Sequence, residues 1–183
     1  MNFSPFIKYK TLEMSSNISH TIKKRVNPND VFITPPRLAK KAIDMVDAFE
    51  GEVWLDPFKG TGNYYNQFPV DEDFKDYCEI TEGIDFFDEE YDMDGTGVIC
   101  SNPPYSCLDR VIAHSIKCKP RVINYLLGLG NLTARRIEMF NKAGYGLTKL
   151  HMCKVWKWYG MSVIVQFELG GEQMMSYDRE VWR

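Results

Sequence analysis

The stretch Ser101-Asn102-Pro103-Pro104-Tyr105 contains residue types in an order that could act on a planar amine. Proline fixes φ at about −65° and lacks an N–H, so Pro103 and Pro104 would hold the Asn102 side chain and the neighbouring carbonyls in one geometry. The Asn102 amide oxygen and a backbone carbonyl could then accept the two hydrogens of an amino group. The Tyr105 ring could stack on the flat substrate that carries this group.

A second stretch, Trp54-Leu55-Asp56-Pro57-Phe58-Lys59-Gly60-Thr61-Gly62, places an acid and two glycines after a short apolar run. Glycines at the end of a strand allow the backbone to approach a ligand closely. The spacing is shorter than the GxGxxG fingerprint of dinucleotide-binding proteins, and the Lys-Ser/Thr pair of a phosphate-binding P-loop is missing. A tight turn without a ligand is the structural alternative to a ligand-binding turn.

Two acidic positions lie between these stretches. Glu79 is predicted to lie at the end of a strand at 77–80, and the pair Asp85-Phe86 follows it. Ligands of open α/β sheets bind outside the carboxyl ends of the strands, so Glu79 could accept both hydroxyls of a ribose. Asp85 could accept from an adenine amino group, and Phe86 could pack on the ring. Each acid alone could instead be a solvated turn carboxylate, but the order of the four stretches favours a ligand site.

The elements that must position these residues alternate between strand and helix patterns. Thr34 is predicted to be the N-cap, and Pro35 the first residue, of a helix of about a dozen residues. The other predicted elements are strands at 53–55, 77–80 and 97–100, a helix at 108–117, a strand at 121–127, a helix at 133–142, and strands at 148–155 and 161–169. This alternation predicts an α/β fold with a mostly parallel sheet. Because the last two strands are joined by a short aromatic connection, one of them should be antiparallel.

The composition limits the classes of protein to which the chain can belong. With 183 residues, 44% hydrophobic and 14% aromatic, the chain should be globular rather than disordered. Its net charge of −3 is unlike that of most dedicated nucleic-acid modules, although a local basic patch is compatible with it. Five scattered cysteines indicate packing residues in a cytoplasmic or other reducing intracellular compartment, with no metal site. Without a signal-peptide pattern or a long apolar run, neither secretion nor a membrane partner is expected.

The order of glycine turn, acid, Asp-Phe pair and Asn-Pro-Pro-Tyr tetrad resembles that of amino-group methyltransferases that use S-adenosylmethionine. The resemblance covers roughly residues 27–170. With the cofactor region ahead of the tetrad, it is similar to the gamma group of DNA N6-adenine methyltransferases. It implies a Rossmann-like methyltransferase fold with a mostly parallel central sheet, an antiparallel strand near the C-terminus and helices on both faces. It also implies S-adenosylmethionine as cofactor and methyl transfer to the exocyclic N6 amine of adenine in DNA.

The resemblance also implies roles for individual residues. Those that would contact the cofactor are Phe32, Thr34, Pro35, Asp56, Phe58, Gly60, Gly62, Glu79, Asp85, Phe86 and Asn102. Within this set the glycine turn, with Asp56, would hold the methionine end, Glu79 the ribose, and the Asp-Phe pair the adenine. Those that would hold the target amine are Asn102, Pro103, Pro104 and Tyr105. Tyr105 would stack on the target base, and Trp158 or Tyr159 would form a second stacking wall or, alternatively, the tip of a hairpin packed on the core.

One departure from the family concerns target recognition. DNA methyltransferases of this group usually carry a separate recognition domain after the catalytic core, whereas 14 residues, 170–183, follow the last predicted strand. Either the specificity is low, or a protein partner supplies it, or the substrate is RNA. Methylation of an RNA base or of a protein glutamine amide, and a non-catalytic subunit that binds S-adenosylmethionine, therefore stay open as alternatives, as does the oligomeric state.

The predicted domain organisation is an arm followed by one domain. Residues 1–26 are polar and carry several lysines, and they would form an N-terminal arm that is either loosely packed or in contact with a phosphate backbone. Residues 27–183 would form a single methyltransferase catalytic domain. Nucleic acid, DNA in preference to RNA, is the expected partner.

Overall fold

A computed structural model of the chain describes residues 32–155, 158 and 160–180. The arm predicted for residues 1–26 lies outside these residues. The described part contains, in chain order, α1 (Pro36–Ile43), β1 (Trp54–Asp56), β2 (Lys75–Tyr77), β3 (Val98–Ser101), α2 (Leu108–Lys117), β4 (Val122–Gly128), α3 (Ala134–Lys142), β5 (Tyr145–Cys153) and β6 (Ser162–Leu169). Strands and helices alternate from β3 to β5, whereas β1, β2 and β3 follow one another with only short 3-10 turns between them.

Six strands form one sheet in the order β2-β1-β3-β4-β6-β5. The strands β1 to β4 run parallel to their neighbours within that set, whereas β6 runs antiparallel to both β4 and β5. The short connection between β5 and β6 requires this reversal, because a parallel crossover needs about a dozen residues or more. The predicted Rossmann-like fold, mostly parallel with an antiparallel strand near the C-terminus, is confirmed.

Helices cover both faces of the sheet, as expected. The strand β3 is buried along its whole length. Successive side chains of a strand point to opposite faces of the sheet, so β3 contributes to a packed layer on each face. One layer joins Val98 of β3 to Ile43 of α1. The other layer joins Ile99 of β3 to Ile112 of α2 and Phe140 of α3. Burial on both sides explains why the central strands are nearly continuous apolar runs in the sequence.

The helix α1 begins one residue later than predicted. Pro35, rather than Thr34, is the N-cap, with φ of −56° and ψ of 135°. The residue before a proline is disfavoured in the α region, so Pro36 keeps Pro35 extended and is itself the first helical residue. The predicted N-cap at Thr34 is therefore wrong, and the Thr34 carbonyl accepts a hydrogen bond from Asn63 Nδ2 at 2.8 Å. The helix has 8 residues, fewer than predicted.

The strand β2 ends before the apolar run around Cys78. The predicted strand at 77–80 is wrong in extent, since β2 covers Lys75–Tyr77. Beyond it, the Glu79 carboxylate accepts a hydrogen bond from the Thr81 N–H at 2.9 Å and caps a short 3-10 turn. A side chain that bonds its own local backbone in this way competes with the strand ladder. Glu79 therefore lies in the turn after β2 and not in the strand. The limits of β3, β4 and β5 also differ from prediction by a few residues.

No group of His, Cys, Asp and Glu side chains in 32–155, 158 and 160–180 could hold a metal ion. In that part of the chain, no helix is both long and apolar enough to cross a bilayer.

Candidate functional site

The carboxyl ends of the parallel strands border a cavity of about 470 Å³. Because β1 lies between β2 and β3, the turns that follow these three strands meet on one side of the sheet. The predicted site residues that line this cavity are Phe32, Thr34, Phe58, Gly60, Glu79, Asp85, Phe86, Asn102 and Pro104. The stretches singled out in the sequence are therefore brought together around one space.

Other predicted site residues do not line the cavity. They are Pro35, Asp56, Gly62, Pro103, Tyr105 and Trp158. Asp56, Gly62 and Pro103 are buried, so in this conformation they can affect a ligand only through the residues around them. Tyr159 lies outside the described residues, and its predicted role stays a prediction.

The turn after β1 takes a shape that requires glycine. Gly60 and Gly62 have φ of 50° and 80°, in the left-handed region that residues with a Cβ rarely adopt. The Gly60 N–H donates to Glu79 Oε2 at 2.8 Å. The next side chain, Asn63, donates from Nδ2 to the Thr34 carbonyl at 2.8 Å. The turn is thus tied both to the acid after β2 and to the residues before α1.

Three hydrogen bonds hold the Glu79 carboxylate. Its Oε2 accepts from the Gly60 N–H, and its Oε1 accepts from the N–H and the hydroxyl of Thr81 at 2.9 and 2.6 Å. A carboxylate offers about four acceptor positions, so about one remains for a ligand hydroxyl. Accepting both hydroxyls of a ribose, as predicted, would require a bond to Thr81 to open.

Aromatic side chains form an apolar end of the cavity. Phe58 and Phe86 meet edge to face, with ring centroids 5.5 Å apart. His114 packs on Phe86 with centroids 4.5 Å apart, and burial lowers the pKa of its imidazole, so the ring is neutral at pH 7. The largely buried Asp85 accepts a hydrogen bond from the Phe87 N–H at 3.0 Å. A flat apolar ring with a polar edge would suit this end.

The side chain of Asn102 has a defined orientation. Its Nδ2 donates to the Phe32 carbonyl at 3.0 Å. A carbonyl can only accept, so the amide nitrogen must face Phe32 and Oδ1 must face the other way. The Tyr105 hydroxyl lies 3.5 Å from Oδ1 and 3.5 Å from the Leu126 carbonyl, both at the limit of a hydrogen bond. Oδ1 therefore retains the capacity to accept an N–H from a bound amine.

Three aromatic rings lie next to Asn102. Phe32 is stacked with Tyr105 at 6.3 Å between centroids and 22° between planes. It meets Trp158 edge to face at 5.5 Å. Burial raises the pKa of Tyr105 to about 12, so its hydroxyl stays protonated at neutral pH. Tyr105 and Trp158 therefore belong to one aromatic group centred on Phe32, which is itself half-exposed.

Asp56 is fully buried at the end of β1. Its Oδ1 accepts hydrogen bonds from the Ser101 hydroxyl at 2.6 Å and from the Phe58 N–H at 3.3 Å. Burial raises the pKa of the carboxyl to about 7, although these two hydrogen bonds act in the opposite direction. Because Asp56 does not line the cavity, its effect on a ligand there must pass through Phe58 or Ser101.

Sequence reasoning misses charged residues that line the cavity. Lys59 lies over the Tyr77 ring at 3.6 Å and pairs with Glu82 at 3.2 Å. Its position within the glycine stretch was the available signal, because a turn after a parallel strand faces the ligand side. Arg110 lies with its Cζ 3.8 Å from the centre of the Phe87 ring. Arg110 belongs to α2, and a charged residue in a predicted helix is ordinarily assigned to a solvated face. The sequence therefore gives no sign that this residue lines the cavity.

The comparisons with known proteins give remote structural similarities. The sequence matches no protein-family model and no curated protein. Among solved structures, the delta-N METTL16 MTase domain is similar at 14% identity with a TM-score of 0.46, over 79% of this chain and 87% of that one. The human methyltransferase 10 domain containing protein is similar at 12% identity with a TM-score of 0.45, over 82% of this chain and 97% of that one. A further structure, crystal form 2 of the METTL16 MTase domain, has 13% identity and a TM-score of 0.43, over 83% and 77%.

Proposed function

We propose that the chain transfers a methyl group from S-adenosylmethionine to the exocyclic N6 amine of adenine in DNA. The observation that carries the proposal is the orientation of Asn102, which lines the cavity and turns Oδ1 away from its bond to Phe32. An exocyclic amine has two N–H donors and a lone pair that is delocalised into its ring. Acceptors in fixed positions are therefore what its methylation needs.

The cavity suits S-adenosylmethionine in size and in the order of its groups. Its volume of about 470 Å³ lies in the usual range for small-molecule sites, about 300–1,000 Å³. The apolar end at Phe58 and Phe86 suits an adenine ring, and the free acceptor position of Glu79 suits a ribose hydroxyl. The exposed backbone at Gly60 and the polar Thr34 would face the methionine end. When bound, this donor would supply an electrophilic methyl group on a sulfonium.

The protein's own part in the reaction is to position the target amine. Asn102 Oδ1 would accept one N–H, and a backbone carbonyl of the turn that the two consecutive prolines hold would accept the other. Two acceptors draw the amine nitrogen towards tetrahedral geometry and orient its lone pair for attack. The acceleration would then come from positioning and from preorganised dipoles.

This arrangement requires no strong general base. The amine nitrogen gains the methyl group and releases one proton, which water can accept once the nitrogen carries a positive charge. His114 packs against Phe86, at the end of the cavity that we assign to the donor's adenine ring. We therefore assign it no proton transfer.

The aromatic group around Asn102 favours a nucleic-acid base over the side-chain amide of a protein glutamine. The rings of Phe32, Tyr105 and Trp158 suit a partner with a flat face. Adenine in RNA presents the same ring and the same amine, and it is the second candidate. In duplex DNA the base would have to leave its stack, at a cost of about a few kcal/mol. A protein partner that supplies target recognition is part of the proposal.

The experiment that tests the proposal measures label transfer from radiolabelled S-adenosylmethionine. Parallel samples contain duplex DNA, single-stranded DNA, RNA or protein extract. Asn102→Ala should abolish the transfer and leave the affinity for S-adenosylhomocysteine nearly unchanged. The matched control is Asn141→Ala, which removes an amide of similar exposure that bonds the Tyr145 carbonyl, away from the cavity.

Label recovered as N6-methyladenine from DNA, absent with Asn102→Ala and present with the control, would support the proposal. Label in RNA or in protein would move the function to the corresponding alternative. Donor binding without label in any sample would point to the non-catalytic subunit. An Asn102→Ala variant that keeps most of its activity would remove the amine-positioning argument.

A further inference from the structure

Asp56 lies at a junction between the turn that follows β1 and the turn that follows β3. Its Oδ1 accepts from the Phe58 N–H at 3.3 Å and from the Ser101 hydroxyl at 2.6 Å. Phe58 belongs to the cavity wall at the donor end, and Ser101 immediately precedes Asn102. One carboxyl oxygen is therefore bonded to the backbone of the first turn and to the residue that leads into the second.

The surroundings of Asp56 hold it in place. Its side chain is fully buried, and its backbone carbonyl accepts from the Cys78 N–H at 2.9 Å. Its Oδ2 has no hydrogen-bond partner in the described part of the chain. The titratable groups that act on Asp56 electrostatically are Glu79, Tyr64, Cys100 and Tyr125. None of these groups is a cation, so the Ser101 hydroxyl and the backbone N–H groups of Phe58 and Tyr65 are what favours the charged carboxylate.

We infer that Asp56 is a positioning residue that couples the two turns, so that a ligand which orders the donor turn also orders Asn102. The inference rests on the proposed function, which assigns the donor to one turn and the amine to the other. An acceptor shared by two donors transmits a displacement. When one donor moves, the shared oxygen moves with it, and the geometry of its hydrogen bond to the other donor changes. Such coupling is reciprocal, so a bound amine would also tighten the binding of the donor.

The strength of this coupling should depend on pH. Because burial raises the pKa of Asp56 to about 7, the carboxyl is partly ionised at neutral pH. Hydrogen bonds to an ionised acceptor are shorter than neutral ones and about twice as strong. Asp56 should therefore hold the two turns more firmly above pH 7 than below it.

The test uses the full chain and follows each side of the junction separately. S-adenosylhomocysteine probes the donor side by calorimetry, and the side-chain amide resonance of Asn102 reports on the amine side. Asn102→Asp, which lacks the NH₂ group, assigns that resonance. Ser101→Ala removes one hydrogen bond of the junction, and Ser115→Ala removes an equally buried serine hydroxyl outside it. Asp56→Asn keeps an acceptor oxygen but cannot ionise.

In the wild-type chain, we expect the probe to shift the Asn102 resonance. In Ser101→Ala the probe should bind within about twofold of its wild-type affinity, while the shift is lost and methyl transfer falls at least about tenfold. Ser115→Ala should leave affinity, shift and transfer unchanged. In Asp56→Asn the shift should remain, but it should no longer vary between about pH 6 and pH 8 as it does in the wild type.

Retention of both shift and transfer in Ser101→Ala would overturn the coupling and leave the proposed function intact. Loss of the shift in Ser115→Ala as well would also overturn it, because any buried serine would then matter equally. If Ser101→Ala does not fold, the pH series of Asp56→Asn decides, and a profile equal to the wild type rejects the inference. A wild-type chain that does not bind the probe would overturn the proposed function itself, and the inference with it.

Discussion

The Glu79 carboxylate holds two turns of the site in a fixed relation. It accepts from the Gly60 N–H on one side and from Thr81 on the other. A hydrogen bond to a charged group contributes about 1.5–3 kcal/mol net, so the loss of this residue would release both turns. A ligand at this end of the cavity therefore meets a wall that is already formed.

Glu79→Ala should weaken the binding of S-adenosylhomocysteine by at least about tenfold, because the Gly60 N–H loses its acceptor and the ligand loses a carboxylate. Calorimetry measures the affinity directly. Glu138→Ala is the matched control, since the Glu138 carboxylate has a similar exposure, pairs with Lys142 and Arg179, and does not line the cavity. Equal affinities for Glu79→Ala and the wild type would contradict the assignment of Glu79 to the donor.

The raised pKa of Asp56 predicts a pH dependence of stability. The pKa is about 7 in the folded chain against an ordinary 3.8. Between these values the folded state keeps a proton that the unfolded state has released, so the contribution of Asp56 to stability falls as pH rises from about 4 to about 7. Asp56→Asn removes this dependence, so its free energy of unfolding should rise relative to the wild type over that range, by up to about a few kcal/mol. Urea unfolding at two pH values measures the difference, and a constant difference would be contrary to the prediction.

The types of the site residues are easier to predict from the sequence than their contacts. Glu79 and Asn102 stand out by their order along the chain, and both line the cavity. The burial of Asp56 depends on the position of β1 between two other strands, which the linear order does not reveal. The contact of Arg110 with Phe87 depends on the rotation of α2 about its axis, and tertiary packing sets that rotation.

At the scale of elements, the edge strand β5 is covered by the segment that follows β6. The Met174 N–H donates to the Leu147 carbonyl at 2.9 Å, and Gln173 Oε1 accepts from the Leu147 N–H at 2.9 Å. One of these partners is a side chain, so the pairing with β5 is not a regular strand ladder. Residues 170–180 also show no strand pattern in the sequence, so the sequence does not predict that they cover β5. An open edge invites pairing with other chains, so the segment both completes and protects this part of β5.

Gly146→Ala should destabilise the fold, because a Cβ at this position would lie 2.1 Å from the Gly171 carbonyl oxygen. The obstacle is backbone, so the covering segment would have to move off β5, and we expect a loss of about 2–4 kcal/mol in the free energy of unfolding. Chemical denaturation measures it. A Cβ at Gly130 would meet nothing within 4 Å, so Gly130→Ala is the control. Equal stabilities of the two variants would mean that the segment does not cover β5 in solution.

At the scale of the whole molecule, the cavity exists only when the sheet is assembled. Its walls come from the turns after β1, β2 and β3 and from the residues before α1. A ligand that bridges these segments binds the folded state and not the unfolded one. Donor binding should therefore be measurable as a stabilisation of the entire fold.

S-adenosylhomocysteine at a hundred times its dissociation constant should add about 2.7 kcal/mol to the free energy of unfolding. For a chain of this length, that corresponds to a rise of about 5–10 °C in Tm. Thermal denaturation followed by circular dichroism measures the shift. At the same ligand concentration Glu79→Ala should show a smaller shift, and an unchanged Tm for the wild type at saturation would argue against a donor site.

In the proposed function, a target base would stack where the Phe32 ring now lies, in contact with Tyr105 and Trp158. Taking that place returns the Phe32 ring to water, so the apolar area that one ring buries is offset by the area that the other exposes. A free base or a short oligonucleotide should therefore gain little from stacking. Affinity must come from contacts farther along the substrate. A long substrate, or one held by a protein partner, should therefore displace the Phe32 ring more readily than a free base.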